Sequence, residues 1–293
     1  MPGTSGVKPP SATALRPYGG GVLLADASVR SLGPADLSAC LDLGTDRGWP
    51  REERKWAMLL DVGRGFGIDA PDGGLAAAAV LTRTGPTASV SMVVVAERFA
   101  RQGLGRRVMA RALDEAGDAV VSLHTTETAR PLYESMGFEF DGGCTDHRGR
   151  FTDDGGPAAR PIGPPDVARV YELDSAAQGF ARRELLRRML FEAEHVHVTD
   201  DGYALGTTQA GVLVIGPVVA ADEDQARALI RGIARTTSGD LRLAVDHRFP
   251  ELSAWCEARG LAVHGPAPRL VLHGKALPGP AEMRFSPYNT ALG

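Results

Sequence analysis

The stretch ERFARQGLGRRVMARALDEAG, residues 97–117, sets two glycines around a leucine inside a knot of arginines and then runs on as an amphipathic helix. Leu104, Val108, Met109, Ala112 and Leu113 recur at a spacing near 3.6 residues and form one apolar stripe. Arg106, Arg107, Arg111, Asp114 and Glu115 fall on the wet side. An apolar run over 88–96 precedes the glycines, so they mark a strand-to-helix turn. The first turn of a helix leaves backbone N–H groups without partners, and the helix dipole adds partial positive charge there. Glycines remove the Cβ atoms that would hold an anion away, and Arg101, Arg106 and Arg107 supply forked donors. The residues fit either a cradle for a pyrophosphate or a tight turn whose arginines solvate a helix end. Position 108 is valine, which breaks GxGxxG, and no Gly-Lys-Ser/Thr follows. A Rossmann dinucleotide site and a Walker NTPase both fit poorly.

The 293 residues are comfortable for two domains, and either half could bury a core. A net charge of −4 gives no global basic field for nucleic acid or an acidic membrane surface, so any anion site must be a local cluster. Three scattered cysteines without CxxC spacing argue against a disulfide framework and a zinc site, and no metal is expected. No apolar run reaches the roughly 20 residues a membrane span needs. Residues 1–18 read as a flexible Pro/Gly/Ser leader without the apolar core of a signal peptide, so a cytoplasmic protein is expected.

Periodicity gives alternating helices and strands, a mixed α/β class. Strand-like runs fall at 21–29, 65–71, 75–85, 88–96 and 119–125, with a helical region over 34–62 broken near Gly48 and Pro50. A short helix over 129–137 and the run 138–140 follow. The Gly/Pro/Asp-rich segment 152–165 is expected as a linker between domains at 19–151 and 166–293. Beyond it the order repeats: helices over 165–176 and 181–194, strands over 195–200, 203–208 and 211–220, a helix over 223–236, a strand over 241–245, a helix over 250–260 and two closing strands. The match implies an internal duplication.

A second stretch, ARPLYESMGFEF, lies a strand and a turn after the glycines. Together the strand SMVVV, the turn RQGLG and Ala129, Leu132, Tyr133, Glu134, Gly137 and Phe138 resemble the GNAT family of acyl-CoA-dependent N-acetyltransferases over residues 20–142. The resemblance implies that acetyl-CoA is the cosubstrate. Its pyrophosphate would lie on Arg101, Gln102, Gly103, Leu104, Gly105, Arg106 and Arg107, and its pantetheine arm along Val93, Val94 and Val95. It also implies that Tyr133 protonates the departing thiolate. Departures stand at Ala100, where the family usually has arginine or glutamine, at Glu97, most often proline, and at Thr126, in place of the usual asparagine.

Amine acylation needs a deprotonated amine, a polarised carbonyl and capture of the leaving thiolate. A phenol donates at neutral pH, which suits Tyr133; the other reading is a core tyrosine anchoring a short helix. Backbone N–H groups near Val94 or Val95 are candidates for polarising the carbonyl. The strand before the turn offers no glutamate, so His124 is the candidate base, with Glu127 and a water relay as competitors. Trp49 and Trp56 flank a charged turn that overlies the acceptor in the family, and form either a substrate wall or ordinary helix packing.

In the second half, aligned by strands, Gly103 and Gly105 fall near Asp224 and Ala226, with Asp222 and Glu223 ahead of them. Carboxylates there satisfy the dipole and repel a pyrophosphate. Tyr133 falls near Cys256. The second repeat is expected to keep the fold without a cofactor site, completing the acceptor pocket or an internal dimer-like interface. Its last residues, RFSPYNTALG, are either a pocket-lining tail or a final strand with a frayed end. The expected function is transfer of an acetyl group to a primary amine of a small molecule or peptide by direct attack, in a monomer or homodimer that binds neither nucleic acid nor membrane. A non-catalytic acyl-CoA-binding module is the rival, and a nucleotide-dependent enzyme a third option.

Overall fold

The structure, a computed structural model, describes Leu24 and residues 26–292. The expected leader over 1–18 lies outside those residues, as does the start of the strand expected over 21–29. The described remainder of that strand is irregular, and the first strand comes later. The first half runs β1 (Arg30–Leu32), α1 (Leu37–Asp46), α2 (Glu53–Val62), β2 (Arg64–Asp69), β3 (Leu75–Thr84), β4 (Thr87–Val95), α3 (Leu104–Ala116), β5 (Val120–His124), α4 (Arg130–Glu134) and β6 (Phe138–Gly149). The second repeats that order as β7 (Arg160–Pro161), α5 (Val167–Gln178), α6 (Arg183–Glu192), β8 (His195–Thr199), β9 (Gly202–Gln209), β10 (Val212–Ala220), α7 (Glu223–Ala234), β11 (Leu241–Asp246), α8 (Pro250–Ala258) and β12 (Leu261–Leu272). One strand, β13 (Arg284–Ser286), has no counterpart. Part of the expected linker is therefore structural, since β7 pairs with β8.

The thirteen strands among the described residues join one sheet, in the order β1-β2-β3-β4-β5-β12-β6-β11-β10-β9-β8-β7, with β13 added on β10. The order is symmetric about its centre, where the halves exchange their last strands. β12 lies between β5 and β6, pairing Leu270 with Leu123 on one side and with Phe140 on the other. β6 in turn lies between β12 and β11, pairing His147 with Leu243. The run expected at 138–140 is thus the start of a twelve-residue strand.

Central strands covered on both faces read as continuous apolar runs, and Ala76 to Val80 of β3 are fully buried. Helix α3 buries Leu104, Val108, Met109, Ala112 and Ala116, while Leu113, expected in the stripe, is half-buried at its edge. One apolar core spans the halves, joining Trp56, Leu59, Val94 and Leu104 to Leu186, Met189, Tyr203 and Leu205. A buried charge pair sits beside it: Arg182 donates to Asp174 at 2.9 and 3.0 Å, and the Tyr203 hydroxyl donates to the same carboxylate at 2.5 Å.

A chain ended at residue 151 would leave β5 and β6 without the strand between them and would expose half of the shared core. It should bind a hydrophobic dye, aggregate and lack a cooperative thermal transition; a monomeric fragment with a sharp transition would refute the interlocked arrangement.

Candidate active site

Strands β4 and β5 run parallel and pair only from Thr87/Val120 to Ser89/Ser122. Past that point they part: β4 continues on β3 to Val95, while β5 turns its other edge to β12. A bulge helps, since two residues of β4, Met92 and Val93, stand opposite Ala79, with Met92 at φ +52°. Ala96 donates its amide to Ala76, so by alternation the Val94 amide also faces β3. The amides of Val93 and Val95 then point into the opening between β4 and β5. Of the amides expected to be candidates for polarising a carbonyl, that of Val95 faces the opening and that of Val94 does not. The Ser91 hydroxyl, buried on this stretch, has no hydrogen-bond partner among the described residues.

The glycine turn closes the wide end of the opening. Arg101 (φ +62°) and Gly103 (φ +74°) both adopt the left-handed region, which turns successive amides toward one side. No side chain caps α3, and the amides of Leu104, Gly105 and Arg106 meet no acceptor among the described residues. A Cβ added at Gly103 would touch nothing within 4 Å, so the space beside the turn is open. At Gly105 the neighbours are Val95 and Leu132, 3.5 and 3.7 Å from where a Cβ would stand. The end of β4, the head of α3 and helix α4 therefore converge at one place. Arg106 ties α3 to α4 by donating to the Ser135 hydroxyl at 2.6 Å.

Besides Arg106, two more of the expected phosphate side chains are engaged elsewhere. The Gln102 amide oxygen accepts from Leu24 N–H at 3.0 Å, and Arg107 donates to the carbonyls of Leu24 and Ala27. These side chains anchor the segment leading to β1, and among the described residues Arg101 and the bare amides of the turn keep no protein partner. Thr126 stands at the head of α4, where its hydroxyl accepts from Ala129 N–H at 3.3 Å.

Tyr133 lies on α4 beside this convergence, 6 % exposed and edge-on to Phe138 at 6.1 Å. Its hydroxyl makes no hydrogen bond among the described residues, and burial pushes its pKa up to about 12. The phenol therefore keeps its proton across the neutral range.

On the face of β4 and β5 opposite α3 lies a cavity of about 90 Å³ between the halves. Ser89, Ser122 and His124 bring it to the apex of the opening, and the second half supplies Arg248, Arg269 and Arg284. His124 faces this cavity, but burial, then the charge of Arg269, pushes its pKa down to about 3. A conjugate acid that strong makes a poor base at neutral pH, so the expected role of His124 as general base is not what its surroundings favour. Its competitor Glu127 is exposed, away from the cavity, and paired with Arg130 at 3.7 Å. Trp56, 2 % exposed, is a core residue, and Trp49, 37 % exposed, does not line the cavity. Neither tryptophan forms a wall of this cavity, which is lined by strand faces and the segment after β12. Its arginines carry no sequence motif.

In the second half, β10 and β11 also pair briefly, from Leu213/Leu241 to Ile215/Leu243. Here β13 pairs with β10 at Val218 and Val219, filling the place where the strands would part. Asp222 caps α7 by accepting from Gln225 N–H at 2.8 Å, and Cys256 is fully buried. The carboxylate expected at this helix end does cap it, and β13, the final strand expected within RFSPYNTALG, plugs the opening. Among the described residues no cluster of His, Cys, Asp or Glu is arranged to hold a metal, and no helix is long and apolar enough to cross a membrane.

Two family models, each describing an acetyltransferase (GNAT) domain, match residues 70–149 and 170–286, together about two thirds of the chain. The uncharacterized N-acetyltransferase YitH of Bacillus subtilis is 25 % identical over 228 residues, covering 74 % of this chain and 81 % of YitH. A putative acetyltransferase from Pyrococcus horikoshii superposes with a TM-score of 0.78 at 15 % identity, over 95 % of this chain and 98 % of that one. A tandem GNAT protein from the clavulanic acid biosynthesis pathway gives 0.60 at 15 % identity, over 86 % and 100 %. With a matching domain on either side of residues 150–169 and the parted strands and uncapped helix in the first of them, the chain belongs to the GNAT acetyltransferases, in tandem form.

Proposed function

We propose that the first half acetylates a primary amine of a small molecule by direct attack within a ternary complex with acetyl-CoA. The observation that carries this reading is the parting of β4 and β5 past Ser89/Ser122, beside an uncapped helix end and a buried phenol. Acetyl-CoA would supply an acetyl group on a thioester, and the residues present suit it. The amides of Leu104, Gly105 and Arg106, with Arg101, would hold the pyrophosphate; Val93 and Val95 would bond the pantetheine arm. The Val95 or Val93 amide would polarise the carbonyl oxygen. The incoming amine forms the C–N bond, the C–S bond breaks, and the sulfur takes a proton from the Tyr133 hydroxyl. The amine's excess proton passes to solvent, and Tyr133 is reprotonated from solvent.

His124 lines the acceptor side as a neutral donor and acceptor rather than as the base. The acceptor must then shed its ammonium proton without a near-neutral protein base, so kcat/KM should rise with pH toward the amine's own pKa. An inflection near 6.5 that vanishes in His124→Gln would restore the histidine as base. A separate test uses stability. With an ordinary pKa near 6.5 unfolded and about 3 folded, His124 takes up a proton on unfolding between those values. The stability it contributes is present above about pH 6.5 and is lost as pH falls toward 3. His124→Gln should flatten that acid-side loss, by at most about 1.4 kcal/mol per pH unit. Parallel melting curves for variant and wild type would show that the ring titrates normally.

The engagement of Gln102 and Arg107 by Leu24 and Ala27 favours, as a second reading, a module that binds acyl-CoA without turnover. Tyr133→Phe separates the two. It should lower kcat by about 100-fold or more, the usual worth of a general acid, while acetyl-CoA binding changes less than about twofold. A wild-type protein that binds acetyl-CoA yet releases no thiol with any amine would favour the binding module.

A further inference from the structure

The cavity between the halves carries more positive charge than its own carboxylates balance. Four guanidinium groups reach it, from Arg182, Arg248, Arg269 and Arg284. Three of them are matched. Arg182 is bound by the buried Asp174 at 2.9 Å, Arg248 by Asp246 at 2.8 Å and Arg269 by Asp141 at 2.9 Å, with Asp246 a further 3.6 Å from Arg269. Arg284, at the start of β13, donates only to the Pro278 carbonyl at 2.9 Å and meets no carboxylate among the described residues. It faces three like charges and, without an ion pair, the Asp246 carboxylate; burial, then Arg248 and Arg269, pulls its pKa down to about 10, which Asp246 offsets only in part. At neutral pH it remains charged. A half-buried, unmatched cation is costly to hold unless an anion joins it.

The remaining lining limits what that anion is attached to. Phe180, Val219, Leu277, Pro278 and Leu292 offer apolar surface, and Ser89, Ser122 and His124 place hydrogen-bonding groups at the apex where β4 and β5 part. The Thr82 hydroxyl, also in the lining, is buried with no partner among the described residues. One unmatched guanidinium suits one negative charge, a carboxylate, better than a phosphate dianion.

We propose that the acceptor is a small amine bearing one carboxylate on a largely apolar skeleton, its carboxylate held by Arg284 and its amine presented at Ser89, Ser122 and His124. This rests on the acetyltransferase reading of the first half and names the substrate class for it. The carboxylate forms no covalent bond; it fixes the pose in which the neutral amine reaches the opening, and the transfer itself is the step described above. The second half thereby supplies specificity without binding a cofactor of its own.

The test is thiol release from acetyl-CoA by the full chain, offered leucine, methionine, phenylalanine and glutamate, and the amide of each. At least one free acid among the apolar three should be acetylated with kcat/KM about ten- to a hundredfold above its amide, the worth of one charge-assisted hydrogen bond. Arg284→Gln should remove most of that preference by weakening the acids alone. Arg284→Lys should restore part of it, and acetyl-CoA binding should stay within about twofold in both variants. Amides turned over as well as acids, or acids unaffected by Arg284→Gln, would overturn the proposal. So would acetyl-CoA binding with turnover of none of the four acids, which leaves the cofactor reading standing. If acetyl-CoA itself does not bind, that reading fails instead, and calorimetry decides the anion site separately. N-acetyl-leucine should then bind wild type more tightly than N-acetyl-leucinamide does, and equal affinities refute the site.

Discussion

Strand β5 can leave β4 only because β12 satisfies its other edge. Each backbone amide and carbonyl in a sheet interior needs a partner, and an unpaired row costs more than a domain's margin of stability. β5 gives up pairing with β4 after Ser122, yet Ser122, Leu123 and His124 keep partners at Val271, Leu270 and Arg269. The strand that allows the first half to open thus comes from the second half. Without β12, β5 would have to close on β4 or expose its backbone, and either would remove the opening. The interlock is a condition of the site as well as of the fold.

The same architecture has opposite outcomes in the two halves because the helix ends and the strand neighbours differ. At α3 the turn is bare and left-handed at Arg101 and Gly103, while at α7 a carboxylate caps the helix. A capping aspartate is worth about 1 kcal/mol to a helix, so α3 lacks a stabilisation that α7 has. Beside β10 the opening is filled by β13, and the chain after it packs so closely that a Cβ at Gly216 would strike the Pro287 carbonyl. In the second half, folding has taken the space and the dipole that the first half leaves for a ligand.

What could be read from the sequence was local in origin. The strand, glycine turn and helix over 88–117 obey periodicities set by neighbours in the chain, as does the short helix carrying Tyr133. Residues whose fate depends on distant contacts were less legible. For Trp56, left open between a pocket wall and helix packing, packing is what the structure shows, in a core assembled from both halves. Gln102 and Arg107 have the chemistry of phosphate ligands and are taken by backbone groups about eighty residues earlier, at Leu24 and Ala27. His124 lines the cavity, but the desolvation and the Arg269 charge that govern its chemistry come from packing and from β12, which no local pattern carries. The exchange of last strands left no local mark, because sequential strands usually pair with one another and here they do not.

The cavity and the closed second opening have one origin. β13 reaches the second half's opening with Arg284 and Ser286 paired to β10, and both residues also line the cavity. The tail then crosses to the first half, where the Ala291 carbonyl accepts from the Ser89 hydroxyl at 3.1 Å. A strand that fills one opening therefore carries a guanidinium toward the acceptor side of the other. Phe285, between those two residues, is 2 % exposed and stacks on Phe249 at 4.0 Å, which fixes the strand and limits the directions in which Arg284 can relax. A surface arginine would swing into water to escape its three neighbours. One anchored on both sides cannot do so freely, and its charge is kept where a carboxylate would relieve it.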